Sequence, residues 1–142
     1  MAAKLPAFVQ RHVVGFHETD AAGFVHFTNI FRWMEAAEHA FLKERGVPVL
    51  DKKHGWPRVE VCAHFYAPLR FGDEVETRLY YRVRNPSRLN FCFEIWRVNG
   101  PGAPERAGSG QFTTVRVRRG KGRLKRAPLP ARLLKKLPPM EP

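Results

Sequence analysis

Asp20 stands in the run His17-Glu-Thr-Asp-Ala-Ala-Gly-Phe-Val-His26, just ahead of a segment whose apolar residues recur at helical spacing from Phe27. A carboxylate close to a helix start is half of a carbonyl-chemistry site. The first turn of a helix offers unpaired N–H groups and the positive end of the helix dipole. The acid can activate water or attack directly, while the N–H groups hold the oxyanion that develops. Gly23 adds backbone freedom that a side chain would forbid. The same residues also read as a capping acid followed by a turn glycine. Residue type and spacing alone do not separate the two.

The elements that must position this stretch come from the hydrophobic periodicity. Phe27, Ile30, Phe31, Met34, Ala37 and Phe41 are spaced by threes and fours, which predicts a helix from Phe27 to about Arg45. Arg32, Glu35, Glu38, His39 and Lys43 supply its polar side, and Gly46 with Pro48 marks its end. Trp33 and Ala40 extend the apolar surface to more than one side, as suits a helix partly enclosed by a sheet or meeting a second subunit. Ahead of it, Phe8, Val9, Val13, Val14 and Phe16 fit a first strand. After it, apolar residues alternate at Val59–Phe65, Val75–Val83 and Leu89–Ile95, and "SGQFTTVRVRR" reads as a last strand. "RFGDEV" and "NPS" supply turns. One strand, one long helix and four strands predict an α+β chain whose antiparallel sheet curls around the helix.

With 142 residues, 44% of them hydrophobic, the chain suits one domain. No apolar run approaches the roughly 20 residues of a membrane span, and the first ten residues lack the apolar stretch of a secretory signal. Cys62 and Cys92 read as two buried free thiols in a reducing, cytoplasmic setting. No Cys/His/Asp/Glu spacing suggests a metal. The net charge of +12 is unevenly spread: residues 1–115 carry a net +3 and residues 116–142 a net +9. A basic end of this kind can bind polyanions or phosphates, or serve only to keep the chain soluble.

The stretch "FHETDAAGFVHFTNIFRWMEAAEHAFL" resembles the N-terminal motif of the hotdog-fold 4-hydroxybenzoyl-CoA thioesterase family, matching it at Asp20, Gly23, Val25, Phe27, Asn29, Arg32 and Trp33. "APLRFGDEVE" and "NPSRLNFCFEIW" resemble its later landmarks, and the similarity covers roughly residues 8–118. The resemblance implies a hotdog fold, a five-stranded antiparallel sheet wrapped around one long helix. It implies a homodimer or homotetramer that hydrolyses acyl-CoA thioesters with no metal and no cofactor. Asp20 would be the general base or nucleophile, the Phe27 N–H the oxyanion donor, and Gly23 the residue that lets the thioester approach. His26 and Glu35 would face the acyl group, with pairing of Glu35 to His39 as the bland alternative. Arg84 and Arg88 would hold the phosphate-bearing end of CoA, with Ser87 at the usual polar position of the substrate site and a solvated basic hairpin as the bland alternative. Residues 1–119 would form the thioesterase domain, and residues 120–142 a basic Pro-rich tail with at most a short helix near Ala131–Leu137.

Two other readings remain beside the thioesterase. One is a hotdog dehydratase or hydratase of acyl thioesters, disfavoured because the only helix histidine is His39, far from the helix start. The other is a non-catalytic protein binding polyanions through its basic end. Nucleic acid is not the expected partner, because residues 113–142 contain no Phe, Tyr or Trp on which bases could stack.

Overall fold

The computed structural model describes residues 5–136. Its elements are β1 (Phe8–Val13), a 3-10 turn (Phe16–Glu18), α1 (Phe27–Glu44), β2 (His54–Gly55), β3 (Arg58–Phe65), β4 (Glu74–Asn85), β5 (Arg88–Arg97), β6 (Glu105–Val115), β7 (Val117–Arg118), β8 (Lys125–Arg126) and α2 (Ala131–Lys136).

α1 forms where the periodicity placed it. His26 caps its start, with an extended backbone and a side chain that accepts the Thr28 N–H. Gly46 ends it at φ 71°. There the Gly46 N–H donates to the Lys43 carbonyl at 3.0 Å and the Val47 N–H to the Leu42 carbonyl at 2.9 Å. This pair of bonds is a Schellman closure, which needs a left-handed residue and so favours glycine.

The five long strands form one antiparallel sheet in the order β1-β4-β5-β6-β3. Side chains alternate across it. Val75, Thr77, Leu79 and Tyr81 of β4 and Leu89, Phe91, Phe93 and Ile95 of β5 all lie buried, and α1 packs over β1, β4 and β5. Phe41 of the helix meets Tyr81 and Phe91 with ring centroids 5.7 and 6.1 Å away. Gly110 on β6 lets the helix come close. A Cβ there would sit 2.7 Å from Cε of Met34 and 2.8 Å from the Cys62 carbonyl oxygen.

The edge strand β3 differs from the half-buried alternation expected of it. Val59, Val61 and Phe65 are 55%, 44% and 54% exposed. The strand pairs on one side only, with β6, and the helix lies over the far strands. Nothing in the described residues covers this apolar edge.

The chain's last part also departs from a solvated tail. The expected last strand breaks at Arg116. The Arg116 N–H donates to the Ser87 carbonyl, the Ala127 N–H to the Arg116 carbonyl and the Leu129 N–H to the Pro86 carbonyl. β7 pairs with both β2 and β8 in a small second sheet. Ala127, Leu129 and Leu133 are buried, and the two leucines join the main core. The short helix expected near Ala131 is α2. Residues 137–142 lie outside the described residues.

Cys62 and Cys92 are free, as expected, but half-buried rather than buried. They flank Gln111 in register from the two neighbouring strands. Two strand spacings amount to about 9–10 Å, beyond the roughly 7 Å that a disulfide spans. Burial pushes the Cys92 thiol above its ordinary pKa.

Candidate active site

The loop from Gly15 to His26 is held by hydrogen bonds throughout its length. Its 3-10 turn closes when the Glu18 and Thr19 N–H groups reach the Gly15 and Phe16 carbonyls. The Asp20 N–H donates to the Phe24 carbonyl at 2.7 Å, and the Val25 N–H to the Leu69 carbonyl at 2.8 Å. Gly23 makes the turn between them at φ 82°, where a side chain would be strained. One carboxylate oxygen of Asp20, Oδ1, accepts the N–H groups of Ala22 at 2.9 Å and Phe24 at 3.3 Å. These two bonds fix the rotamer and leave Oδ2 without a partner among the described residues. The Asp20 side chain is exposed.

The helix start faces the same space. His26 Nδ1 accepts the Thr28 N–H, which places the ring proton of the neutral form on Nε2. The Asn29 N–H goes to the His26 carbonyl. Of the first three helical amides, that of Phe27 alone has no acceptor among the described residues. Asp20, Phe27, Val25, Ile30, Phe65 and Leu69 line a common cleft of ≈ 420 Å³. Tyr66, Ala67, Pro68 and Ala107 complete its walls, which are largely apolar. Asp20, with one free carboxylate oxygen, and Phe27, with a free amide at a helix N-terminus, therefore line one apolar cleft. Such a pair can deliver a nucleophile to a carbonyl and hold the resulting oxyanion.

One residue that sequence reasoning passed over ties this arrangement together. Glu18 accepts the Gly15 N–H at 2.9 Å and the Trp33 indole N–H at 2.5 Å. His12 Nε2 lies 3.4 Å from it, and the His12 ring packs edge-on against Trp33 at 4.3 Å. The Glu18 carbonyl accepts from both the His26 N–H and Asn29 Nδ2 at 2.9 and 2.8 Å. Glu18 thus clamps the 3-10 turn, two residues before Asp20, to the first turn of α1. Burial alone would raise the Glu18 pKa, but the Gly15 and Trp33 donors and the nearby histidines bring it below the usual value. Burial lowers the His12 pKa, only partly opposed by Glu18. The signal was present in the sequence as Gly15-x-x-Glu18, a helix-start spacing in which the glutamate reaches back to a backbone N–H. Its second partner, Trp33, is fifteen residues away and visible only in three dimensions.

Of the other expected site residues, His26 acts as the helix cap, with Thr28 Oγ1 2.7 Å from its Nδ1 and Phe27 against its ring at 4.6 Å. Glu35 is exposed and does not line the cleft. It pairs with Arg58 at 3.1 Å rather than with His39. Arg58 is shared with Glu38, which is only 3% exposed and is bound at 2.8 and 3.1 Å. The guanidinium also lies over the Phe112 ring at 4.0 Å. His39 sits 3.6 Å from Glu38.

Arg84, Ser87 and Arg88 lie at the other end of the sheet. Cleft residues Phe65 and Ala107 sit near the Ile95 level of the ladder, whereas Arg88 opposes Val115. The separation is about 20 Å or more along the strands. Ser87 Oγ and N–H both donate to Asn85 Oδ1, closing the turn. Arg84 and Arg88 line a polar depression of ≈ 520 Å³ on the face away from α1, with Asn85, Asn90 and Gln111. Asn90 is 7% exposed, and its Oδ1 and Nε of Arg88 are buried without partners among the described residues.

Comparison with known proteins agrees with this architecture. Residues 14–137 match the family model described as the thioesterase-like superfamily. The chain belongs to that superfamily. Its sequence is 32% identical over 96 residues to a 1,4-dihydroxy-2-naphthoyl-CoA hydrolase of Prochlorococcus marinus (strain MIT 9303), a match covering 60% of this chain and 64% of that one. The chain thus matches a little under two thirds of that curated relative's length. The structure superposes on the dynemicin thioesterase, whose crystal structures concern polyene binding, with a TM-score of 0.84 and 32% identity, covering 90% of this chain and 92% of that one. A gentisyl-coenzyme A thioesterase superposes at TM-score 0.76 and 32% identity, covering 89% and 98%. The thioesterase-like fold expected from the sequence, one long helix against a five-stranded antiparallel sheet, is therefore the fold of this chain.

Proposed function

We infer that this chain hydrolyses acyl-CoA thioesters, releasing a free acid and CoA. The observation that supports the reading is that Asp20, with a free carboxylate oxygen, and Phe27, with an open helix-start amide, line one apolar cleft. The thioester carbonyl oxygen docks on the Phe27 N–H, aided by the helix dipole. Asp20 then either activates a water or attacks the carbonyl carbon to form an acyl-enzyme that water opens. Gly23 keeps the loop turn free of a side chain, so the thioester can approach the backbone. Superfamily membership and the named thioesterases among its relatives support the reaction class.

The acyl group is aromatic in this reading. Phe27, Phe65 and Tyr66 line the cleft and expose about half of each side chain, and flat rings stack well on such faces. A panel of aromatic and aliphatic acyl-CoA esters ranked by kcat/KM tests the assignment. Preference for a medium-chain aliphatic ester would overturn the aromatic part alone.

The working unit is a homo-oligomer. The exposed Val59, Val61 and Phe65 on the open β3 edge form an apolar strand that a second copy can cover with satisfied backbone bonds. Arg84, Ser87, Arg88 and Glu35 reach the acyl-CoA only along an extended ligand or from that second copy. Sedimentation of the wild type and of Val61→Lys tests this: a monomeric wild type would refute it. Two free cysteines fit a reducing cytoplasmic setting. No helix among the described residues is long and apolar enough to cross a membrane.

A further inference from the structure

The excess positive charge is concentrated on one small element. Residues 116–126 contain seven cations and no acid. They form the β7–β8 hairpin, and the Arg119 N–H bonds to the Lys53 carbonyl at 2.6 Å, which brings Lys52 and Lys53 alongside. Arg118, Arg119, Lys121, Arg123, Lys125 and Arg126 are all exposed. None of them has a carboxylate partner among the described residues. The adjacent acid, Asp51, is already engaged by the Lys53 and His54 N–H groups and the His54 ring.

Two apolar side chains stand out among these charges. Leu124, between Arg123 and Lys125, is 63% exposed, and Leu50, two residues before Lys52, is 64% exposed. A surface that binds only phosphates gains nothing from exposed leucines, and residues 116–126 carry no Phe, Tyr or Trp on which unstacked bases could stack. Cations interleaved with projecting leucines instead fit the headgroup region of a bilayer, where the charges meet anionic lipids and the leucines enter the acyl boundary. A second copy of the chain is disfavoured as occupant, because it would present the same positive charge.

We propose that the β7–β8 hairpin, with Lys52 and Lys53, is a docking surface for an anionic lipid bilayer. The surface lies beyond the end of β6 that opposes the cleft. Ala107 in the cleft wall and Val115 before the hairpin are eight strand residues apart, about 27 Å. A chain docked by the hairpin therefore keeps the Asp20 cleft open to solvent.

Sedimentation of the full chain with vesicles tests the proposal. Vesicles of equal parts phosphatidylglycerol and phosphatidylcholine should bind it, pure phosphatidylcholine should not, and binding should weaken steeply as salt rises toward about 0.15 M. The combined variant Lys121→Gln, Arg123→Gln, Lys125→Gln and Arg126→Gln should lose on the order of 10²-fold or more in partitioning. Leu124→Ser should lose several-fold on vesicles while its retention of duplex DNA stays at the wild-type level. Both variants should hydrolyse a soluble thioester at the wild-type rate, which reports an intact fold. Failure of the wild type to bind the anionic vesicles overturns the proposal, as does full binding by the quadruple variant. Tighter binding of duplex DNA with no effect of Leu124→Ser would assign the surface to nucleic acid instead.

Discussion

The two ends of the sheet treat their polar groups in opposite ways. At the Asp20 end, polar groups are committed to specific short bonds: Asp20 Oδ1 to two amides, Glu18 to Gly15 and Trp33, and His26 to Thr28. Among the groups left open in the described residues are one carboxylate oxygen of Asp20 and the Phe27 amide, on two residues that line the same cleft. At the hairpin end, six exposed cations have no carboxylate partner among the described residues. Chemistry at a carbonyl needs groups held to within a fraction of an ångström. Attraction to a charged surface needs only that like charges be gathered, since such fields act over about a Debye length. The one end is built from few residues and many constraints, the other from many residues and few constraints.

Variants that strike the constrained end should have the larger effects. Asp20→Asn should cut kcat/KM by on the order of 10²–10⁴-fold, with the circular dichroism spectrum and oligomeric state unchanged. Turnover near that of the wild type would remove Asp20 from the mechanism. Next comes Glu18→Ala, which unfastens the turn from α1. Loss of hydrogen bonds to a charged acceptor should cost about 1–3 kcal/mol, read as a lower Tm. It should also lower kcat more than it raises KM, because the carboxylate and the Phe27 amide no longer hold their spacing. Glu18→Gln, which keeps the size and an acceptor oxygen, should recover part of both.

The clamp also sets a pH dependence. Folded His12 is held below its ordinary 6.5 by burial, so the unfolded chain takes up a proton there first. Folded Glu18 is held below its ordinary 4.5, with the same sign. Stability should therefore fall as pH drops below about 6.5 and fall further below about 4.5. Tm measured against pH should show a gentler acid decline in His12→Asn than in the wild type. Equal slopes would mean that the His12–Glu18 pair contributes nothing.

Smaller effects are expected away from the cleft. Replacing Arg84 and Arg88 together by Gln should raise KM for an acyl-CoA by about tenfold, given the strength of charge-assisted phosphate contacts. It should leave hydrolysis of a truncated acyl-pantetheine ester unchanged. An equal effect on both esters would show that these arginines do not hold the phosphate end. Smallest of all is the hairpin charge variant, whose turnover of a soluble thioester should match the wild type.

Much of the fold was legible because it rests on local periodicity. The threes and fours from Phe27 to Phe41 marked α1, and Gly46 marked its end. The period-two runs at Val75–Val83 and Leu89–Ile95 marked the central strands, which sit beneath the helix and keep their alternation. β3 was less legible, since its pattern matches a covered strand but it stands at an uncovered edge. The basic tail misled more. Its charge and prolines concealed Ala127, Leu129 and Leu133, which are buried where the Leu129 N–H reaches the carbonyl of Pro86, some forty residues earlier, and the two leucines join the main core.

By itself the sequence determined where the helix begins, which strands alternate, and that an acid and a glycine precede the helix. These follow from bond rotations and side-chain spacing within one or two turns of chain. It also located the excess charge, because charge is additive along the chain. Only the tertiary structure decided which carboxylate oxygen stays free, that Phe27 holds the open amide, and that Glu18 meets Trp33. It alone drew Glu35 to Arg58 and set Arg84 and Arg88 at the far end of the sheet from Asp20. The Glu18–Trp33 and Glu35–Arg58 contacts join residues fifteen and twenty-three positions apart at 2.5 and 3.1 Å, and that proximity comes from the tertiary packing around the helix, which no local pattern encodes.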